Sequence, residues 1–501
     1  MKVEQPSAHA YTLPRNIVTL QNAAQQQPPP APPPAPPPPQ QQQTSTSRAR
    51  AQTAQPTDFH GPHTANTIQL DTTLAELYQA NGIQGPFIVT MYCVFGHMDL
   101  HPAWPRELVY PEDEEPVPYA EGNKQEIARL RSIILGMKPL RRAFGVGDMD
   151  VLLLAPNATA AGMERALSQL APHQRHRPVI VDLDGKEDVD TQLRRATRGK
   201  KLLFWRPQGW MGEHDCLLDP REMFDVNSKG FLLTSGMRTP PSEVVDLQAV
   251  DLADRSSCVF WTRPLPFVVK LYRAGCSFGT YIVKAEGQRE EMAGAMARYK
   301  ARGTTEVLLS TYIDLVQDLS VHFFVGAPGT AHDRDNPQIL GVTVQTLTEA
   351  GKWVGGHIDY GMQEELQSLV WDTVRDTTRR MPETFMGWAG VDIVVDREGG
   401  QWVVDLNARF TGSMPICFMS GHFWKQRGLP LAQFSAVEYG GDVDCIYARL
   451  GRLVQTGQVV VTATASIEEG GNMADVVWGG RNMKELADVQ TWIRQVLAKA
   501  S

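Results

Sequence analysis

Short apolar runs recur through the first part of the ordered sequence. Four of them are "GPFIVTMYCVF" at 85–95, "DVLLLAP" at 150–156, "RPVIVDL" at 177–183 and "KLLFW" at 201–205. Helix-like stretches such as "GMERALSQLAPH" separate these runs. Because buried parallel strands form continuous apolar runs and are joined by helices, the pattern predicts a parallel α/β layer.

The pattern changes after residue 219. Residues 219–247 predict a helix that stops at Gly236, a turn at Pro240, and a strand. Residues 265–285, "LPFVVKLYRAGCSFGTYIVKA", predict a β-hairpin with a long glycine-containing tip, followed by a short helix that ends at Gly303. Two further strands are predicted in "EVLLSTYID" and "DLSVHFFVG".

An amphipathic helix and a second hairpin are predicted next. The helix covers 364–381, and its expected core stripe is Leu366, Leu369, Val370, Thr373, Val374 and Thr377. "GWAGVDIVVD" and "QWVVDLNARF" then form a strand pair joined by "REGG". The chain ends with a strand, "GQVVVTATASI", and a last helix around "MKELADVQTWIRQVLAKA".

Composition separates a tail from the ordered part. Residues 1–66 include "QQQPPPAPPPAPPPPQQQQ", which carries too little apolar surface to offset the entropy of ordering the chain. We therefore expect a disordered Pro/Gln-rich tail with a polyproline II segment. That segment could bind an SH3- or WW-type partner, or be dispensable, and the sequence leaves both readings open.

Charge and cysteine usage narrow the class of protein. The 501 residues are 42 % apolar and 21 % charged, with a net charge of −8, which is typical of a globular enzyme of two or three domains. The acidic balance argues against a nucleic-acid binder. No apolar run approaches the ~20 residues of a membrane span. The six cysteines form no CxxC pair, so we expect a reducing, cytoplasmic location without disulfides or zinc.

The second hairpin carries the candidate chemistry. In "VVDLNARFTGS", a strand would place Asp405, Asn407 and Arg409 on one face, because side chains two apart point the same way. Pairing across "REGG" can bring Asp392 beside Asp405. A solvated sheet face is one interpretation; the other is a metal and phosphate site, since two carboxylates and an amide suit Mg²⁺.

"GVDIVVD…VVDLNARF" resembles the metal-binding motif of the ATP-grasp superfamily, and "NARFTGS" is similar to the N-P-R-x-x-G-S run of several members. The resemblance implies ATP and Mg²⁺ (or Mn²⁺) as cofactors, with Asp392, Asp405 and Asn407 as metal ligands. Asp405 stands where Glu is usual. Arg409 and Ser413 would act at the acyl-transfer centre.

Three further stretches match the family in the same way. Strand lysine Lys270 and a glycine-rich loop with Gly275, Ser277 and Gly279 would bind the ATP phosphates. Lys229, before a G-x-x-x-P turn, would bind the α-phosphate, and Asp318 the ribose. Ser310 stands where a Glu usually contacts adenine, which leaves adenine to backbone groups near Thr311.

The resemblance implies an α/β fold with an α+β lid. Its expected parts are the tail at 1–66, a preceding α/β domain at 67–218, a lid at 219–310, and the ATP-grasp core and C-terminal part at 311–501. The implied activity is carboxylate–amine ligation through an acyl phosphate, with a small-molecule carboxylate and an amine (an amino acid) as substrates, in peptide or specialised-metabolite assembly. A kinase of the same fold and a non-catalytic nucleotide-binding scaffold are the alternatives. The identities of the acid and amine do not follow from the sequence.

Overall fold

The computed structural model describes residues 67–91, 107–108, 137–154, 160–182, 186–274, 279–347, 353–467 and 471–498, and these belong to one structural unit, His63–Ser501. The predicted tail at 1–66 lies outside the described residues. Within the described residues, no helix is long and apolar enough to cross a membrane.

A four-stranded parallel sheet forms the first layer. Its order is β3-β2-β1-β4, with β1 Phe87–Thr90, β2 Asp150–Leu154, β3 Arg177–Val181 and β4 Lys201–Phe204. The associated helices are Leu74–Ala80, Lys138–Ala143, Ala160–Ser168 and Val189–Thr197. Short 3₁₀ turns follow at Pro172–Gln174 and Gly209–Glu213. The predicted parallel α/β layer is thus confirmed, and its central strands are buried because they are apolar along their length.

A second, antiparallel sheet has the order β5-β8-β6-β7. Its strands are β5 Ser242–Asp246, β6 Phe267–Leu271, β7 Thr280–Val283 and β8 Glu306–Thr311. Helices Pro220–Val226 and Lys229–Thr234 precede it, and helices Val259–Thr262 and Glu286–Ala301 lie within it in sequence. The core side of β6 buries Phe267, Val269 and Leu271, which leaves Lys270 on the opposite face.

An eight-stranded antiparallel sheet forms the rest, in the order β13-β12-β9-β10-β11-β14-β16-β15. Its strands are β9 Leu315–Val325, β10 Gln338–Leu347, β11 Trp353–Asp359, β12 Gly387–Asp396, β13 Gln401–Asn407, β14 Leu431–Tyr439, β15 Val459–Ile467 and β16 Gly471–Gly480. The helical segments around it are Tyr360–Met362, Gln363–Arg380, Met414–Cys417, Gly421–Lys425, Cys445–Gln455 and Met483–Ala498. The predicted α/β fold with an antiparallel part is confirmed.

The long helix corrects one core prediction. Gln363–Arg380 buries Leu366, Val370, Val374 and Thr377 as expected, but Leu369 is 40 % exposed. Leu366, Val370 and Val374 are spaced four apart, and Thr377 and Thr378 end the stripe, whereas the predicted core residue Thr373 is only half-buried, so the stripe against the sheet is narrower than the predicted one. Leu369 falls on its solvent side.

Strand β9 provides a test of which face holds the fold together. Phe323 is fully buried against the long helix side of the sheet, so Phe323→Ala should lower the free energy of unfolding by about 3–5 kcal/mol. Val316→Ala on the same strand removes a side chain that is 54 % exposed, and should change it by about 0.5 kcal/mol or less. Chemical denaturation measures both, and equal effects would contradict the packing described here.

Candidate active site

The hairpin of β12 and β13 places two carboxylates face to face. In its register Asp392 is directly opposite Asp405, as predicted, and on its other side Asp392 is opposite Ser320 of β9. The turn is fixed by Asp396, whose carboxylate accepts backbone N–H groups of Glu398 at 3.1 Å and Gly400 at 2.6 Å. A fixed turn sets the register of a hairpin, and a slip of one residue would turn Asp405 to the opposite face.

A bulge in the same hairpin binds the strand lysine. The register shifts between Asp392 and Ile393, and the pairing passes over Val404. Lys270 Nζ donates a hydrogen bond to the Val404 carbonyl at 2.8 Å. Burial and the charge of Lys229 lower the pKa of Lys270 to about 8. An ammonium group in this position favours a ligand that brings negative charge.

Lys229 is buried in an ion pair with Asp405. It is the first residue of helix Lys229–Thr234, which Ser228 caps by accepting the Phe231 N–H. The Lys229 backbone N–H also donates to the Tyr272 carbonyl at 2.9 Å, which joins the helix to the end of β6. At 6 % exposure, Lys229 is not an ordinary solvated helix lysine.

The carboxylates of the site have opposite pKa shifts. Burial, with the charge of Asp405, raises the pKa of Asp392 to about 7. Burial also acts on Asp405, but the charges of Lys229 and Arg409 outweigh it and hold its pKa below the usual range. The pair therefore holds less negative charge than two free carboxylates, and a cation between them would favour ionisation of both.

Asp318 adds a third carboxylate to this region. It lies opposite Val394 in the pairing of β9 with β12, and burial raises its pKa to about 6. Its Oδ1 is buried and has no hydrogen-bond partner in the structure. A buried acceptor without a partner is costly, so this atom is suited to a ligand donor such as a hydroxyl group.

The donor set fits a hard divalent cation. Asp392, Asp405 and Asn407, the last residue of β13, offer two carboxylates and an amide, which are ligand types that Mg²⁺ accepts while keeping waters and phosphate oxygens. In the described ranges, no group of three or more His, Cys, Asp or Glu side chains is arranged to hold a metal by itself. The fit to a divalent cation therefore depends on the two carboxylates together with the amide of Asn407.

Arg409 reaches the site in a different way from the one predicted. β13 ends at Asn407, so the expectation that Arg409 continues the same strand face is wrong. The chain leaves the ladder here, and the carbonyl of Phe410 instead accepts a hydrogen bond from Trp205 Nε1 at 2.7 Å. Arg409 Nη1 donates to Asn227 Oδ1 at 2.7 Å and still lines the cavity.

His322 was not predicted from the sequence as part of the site. Its ring nitrogens lie 2.9 Å from Ser413 Oγ and 3.0 Å from Thr411 Oγ1, and burial lowers its pKa to about 3. A neutral imidazole has one donor and one acceptor nitrogen. One of its nitrogens therefore donates to one hydroxyl oxygen, and the other accepts from the second hydroxyl. The sequence did contain an indication of its position, because His322 follows Asp318 and Ser320 at intervals of two, which places all three side chains on one face of a strand.

The glycine-rich loop is described only at one end. Gly275 and Ser277 lie outside the described residues. Gly279 has φ +66°, and a Cβ at this position would lie 2.3 Å from the Leu271 side chain. Gly279 therefore closes the β6–β7 hairpin where a larger residue would not fit.

These elements surround one cavity of about 230 Å³. Its lining includes all the described candidate residues except Gly279: Lys229, Lys270, Asp318, Asp392, Asp405, Asn407, Arg409 and Ser413. Apolar side chains of Val268, Ile282 and Leu315 form part of the wall, with Thr311 and Ile313 beside them. Ser310 also lines it, and its Oγ accepts a hydrogen bond from Ser242 at 2.7 Å. An apolar wall next to backbone groups suits a planar aromatic ring.

Residues 253–413 match the family model described as ATP-grasp domain. The chain contains an ATP-grasp domain. The match includes Lys270, Asp318, the Asp392–Asp405 hairpin and Ser413, whereas Lys229 precedes it and belongs to the site by its ion pair.

Several solved structures are similar to the chain. N5-carboxyaminoimidazole synthetase from Staphylococcus aureus, complexed with ADP, is 11 % identical, with 72 % of this chain and 95 % of that chain covered and a TM-score of 0.47. L-amino acid ligase from Bacillus licheniformis is 11 % identical, with 82 % and 97 % covered and a TM-score of 0.46. N5-carboxyaminoimidazole ribonucleotide synthetase from Thermus thermophilus is 15 % identical, with 72 % and 96 % covered and a TM-score of 0.45. At these scores the likeness identifies neither a substrate nor a reaction. No curated protein matches the sequence.

Because His322 is buried, we expect the free energy of unfolding to fall in acid. The folded-state pKa of His322, about 3, lies below the unfolded value near 6.5, so its contribution to stability is present above pH 6.5 and is lost as pH falls toward 3. Between pH 7 and pH 5 the wild type should lose roughly 2 kcal/mol more free energy of unfolding than His322→Gln.

Chemical denaturation at several pH values measures this difference. Ser413→Ala is the matched control, because it removes one partner hydroxyl, retains the imidazole, and should keep the wild-type pH slope. A slope for His322→Gln equal to that of the wild type would contradict the prediction.

Proposed function

We propose that the protein is an ATP-dependent carboxylate–amine ligase that releases ADP and phosphate. The observation that carries the proposal is the facing pair Asp392 and Asp405 within an ATP-grasp domain, in one cavity with Lys229 and Lys270. Paired carboxylates beside two lysines suit a metal-bound polyphosphate better than a neutral ligand.

The nucleotide would bind where strands β9, β12 and β13 line the cavity beside Lys229 and Lys270. Lys270 and Lys229, which line the cavity, would attract phosphate oxygens, and the unpartnered Oδ1 of Asp318 would accept a hydrogen bond from a ribose hydroxyl. Asp392, Asp405 and Asn407 would hold Mg²⁺, which supplies charge neutralisation for the phosphates. The loop containing Gly275, Ser277 and Gly279 would cover the phosphates.

The chemistry would take place beside Arg409 and Ser413. An oxygen of the substrate carboxylate attacks the γ-phosphorus of ATP, ADP leaves, and an acyl phosphate forms. The amine then attacks the carbonyl carbon, phosphate leaves, and the amine proton is released. Arg409 would orient the carboxylate and then stabilise the oxyanion, with Ser413 held by His322 as a further donor. Exclusion of water matters here because acyl phosphates hydrolyse readily.

A substrate screen tests the proposal. Purified protein with MgATP is incubated with a panel of carboxylic acids and a mixture of amino acids, and phosphate, ADP and new masses are measured. Hydroxylamine in place of the amine should give a hydroxamate if an acyl phosphate forms. A stable phosphoester without hydroxamate would indicate a kinase instead, and no ADP or AMP release with any acid would favour a non-catalytic nucleotide-binding protein.

The metal-site variants should lose turnover without unfolding. Asp405→Ala and Asn407→Ala are expected to abolish ADP release, because the donor set for Mg²⁺ is incomplete in each. Asp405→Asn keeps the volume beside Lys229 and should also be inactive. Asp372→Ala, on the exposed face of helix Gln363–Arg380, is the control that should retain turnover. Circular dichroism checks the fold, and wild-type turnover in any of the three site variants would remove the metal assignment.

Nucleotide affinity should depend on Lys270. Lys270→Ala removes a charged hydrogen-bond donor from the cavity, so ATP binding with Mg²⁺ should weaken by about 10- to 100-fold. Isothermal titration measures the dissociation constant, with Lys484→Ala on an exposed helix face as the control. Unchanged affinity would reject the phosphate role of Lys270.

A further inference from the structure

His322 lies beneath the turn that carries Ser413. On strand β9 it is directly opposite Gly390 of β12 on one side and Gly341 of β10 on the other. A Cβ at Gly390 would lie 2.9 Å from Thr411 Cγ2 and 3.4 Å from the imidazole. The missing side chains beside His322 therefore allow the chain that follows β13 to lie directly against the sheet at this point.

The side chain of Ser413 makes an unusual choice of partner. Ser413 immediately precedes helix Met414–Cys417, where a serine side chain commonly accepts a backbone N–H of the helix, but it makes no such bond. Its Oγ lies 2.9 Å from His322 Nε2 instead. Ser413 lines the cavity, whereas His322 is fully buried and is not one of the described lining residues. The imidazole can therefore act on a ligand only through its neighbours.

The hydroxyl groups around the ring indicate which nitrogen carries the proton. Burial lowers the pKa of His322 to about 3, so the ring is neutral at pH 7 and has one N–H. Thr343 Oγ1 lies 3.5 Å from Nε2 and donates its own proton to the Ser320 carbonyl at 3.2 Å. Toward the ring, the Thr343 oxygen can therefore only accept. This contact is attractive only when the proton is on Nε2.

The position of this proton determines what Ser413 offers to the cavity. With the proton on Nε2, Ser413 Oγ accepts from the ring, and Thr411 Oγ1, 3.0 Å from Nδ1, donates to it. Among the described residues, the Ser413 hydroxyl proton then has no acceptor, so it is available to a ligand. With the proton on Nδ1, Ser413 would donate to the ring and present only lone pairs.

We propose that His322 is a positioning residue that keeps its proton on Nε2 and thereby makes Ser413 a hydrogen-bond donor toward the acid substrate. Carboxylate and acyl phosphate oxygens are acceptors, whereas an amine that attacks through its lone pair has only N–H donors left to offer. Ser413 therefore contacts the acid and not the amine. The contact with the acid rests on the proposed function, but the position of the proton does not.

Nuclear magnetic resonance tests the position of the proton without any substrate. The full chain is prepared with ¹⁵N-labelled histidine, and long-range ¹H–¹⁵N correlation separates protonated from unprotonated ring nitrogens. The signal of His322 among the 12 histidines is the one that is lost in His322→Gln. We expect a neutral ring with a protonated Nε2 at pH 7. A protonated Nδ1, or a charged ring, would overturn the inference.

Variants of the histidine test the donor role. A glutamine amide can bring its N–H₂ near the place of Nε2, whereas an asparagine amide reaches only near the place of Nδ1. With an acid from the substrate screen, Ser413→Ala and His322→Asn should lower kcat/KM for the acid by about 10- to 1,000-fold. KM for MgATP should stay at the wild-type value in both. His322→Gln should retain most of the activity, and His173→Gln, at an exposed position, is the matched control.

The outcomes separate this inference from the proposed function. If the screen finds no acid, the proposed ligase fails, and the resonance experiment still decides whether Ser413 is a donor. If an acid is found, a wild-type kcat/KM in Ser413→Ala or in His322→Asn overturns the inference and leaves the ligase intact. Equal losses in His322→Gln and His322→Asn, with circular dichroism showing both folded, would also overturn it, because a ring that only fills space predicts no difference between the two amides.

Discussion

Two carboxylates that the backbone holds face to face are the constraint on which the site depends. Asp392 and Asp405 occupy directly opposed positions of an antiparallel pair, where side chains are about 5 Å apart and like charges destabilise the sheet. Strand pairing sets this distance, so the repulsion can be relieved only by a proton or by a nearby cation. Both effects are present in this structure. Burial and repulsion raise the pKa of Asp392, which favours its protonated form, and Lys229 forms an ion pair with Asp405. A divalent cation bound between the two carboxylates would offset the same repulsion and would favour the ionised form of both.

The same constraint joins two sheets at the cavity. Lys270 extends from β6 of the four-stranded antiparallel sheet to the carbonyl of Val404 in the eight-stranded sheet, and the bulge at Val404 makes that carbonyl available outside the ladder. Lys229 comes from a helix that packs on β13 and is hydrogen-bonded to the end of β6. A ligand that competes for either lysine therefore acts on contacts between the sheets. Phosphate bound to these lysines, as proposed above, would therefore be coupled to the hairpin through the same contacts.

The sequence allowed the hairpin, its register and the facing carboxylates to be predicted, because a short turn fixes the pairing and alternation fixes the faces. Lys229 and Asp318 were predicted only through family resemblance, since a lysine at a helix start and an aspartate at a strand start are ordinarily solvated. Strands β10, β11, β14 and β16 were not predicted. β14 lacks clean alternation, and β16 begins and ends with glycine, which resembles a loop. Arg409 was assigned to the strand because local spacing does not reveal that the Phe410 carbonyl pairs with Trp205 instead of with the ladder.

Two parts of the chain form the wall of the cavity. The β-strands and the helix that carries Lys229 supply lysines and carboxylates together, so opposite charges lie side by side there. The N-terminal segment adds Arg141 and Arg142 to the lining. Arg141 Nη1 lies 3.2 Å from Asp475 Oδ1, and the Arg142 guanidinium lies 3.5 Å from the centroid of the Trp205 ring. Because Trp205 also donates a hydrogen bond to the Phe410 carbonyl, these contacts join the N-terminal segment to the residues that follow β13, and the cavity wall is complete only when both parts of the chain pack together.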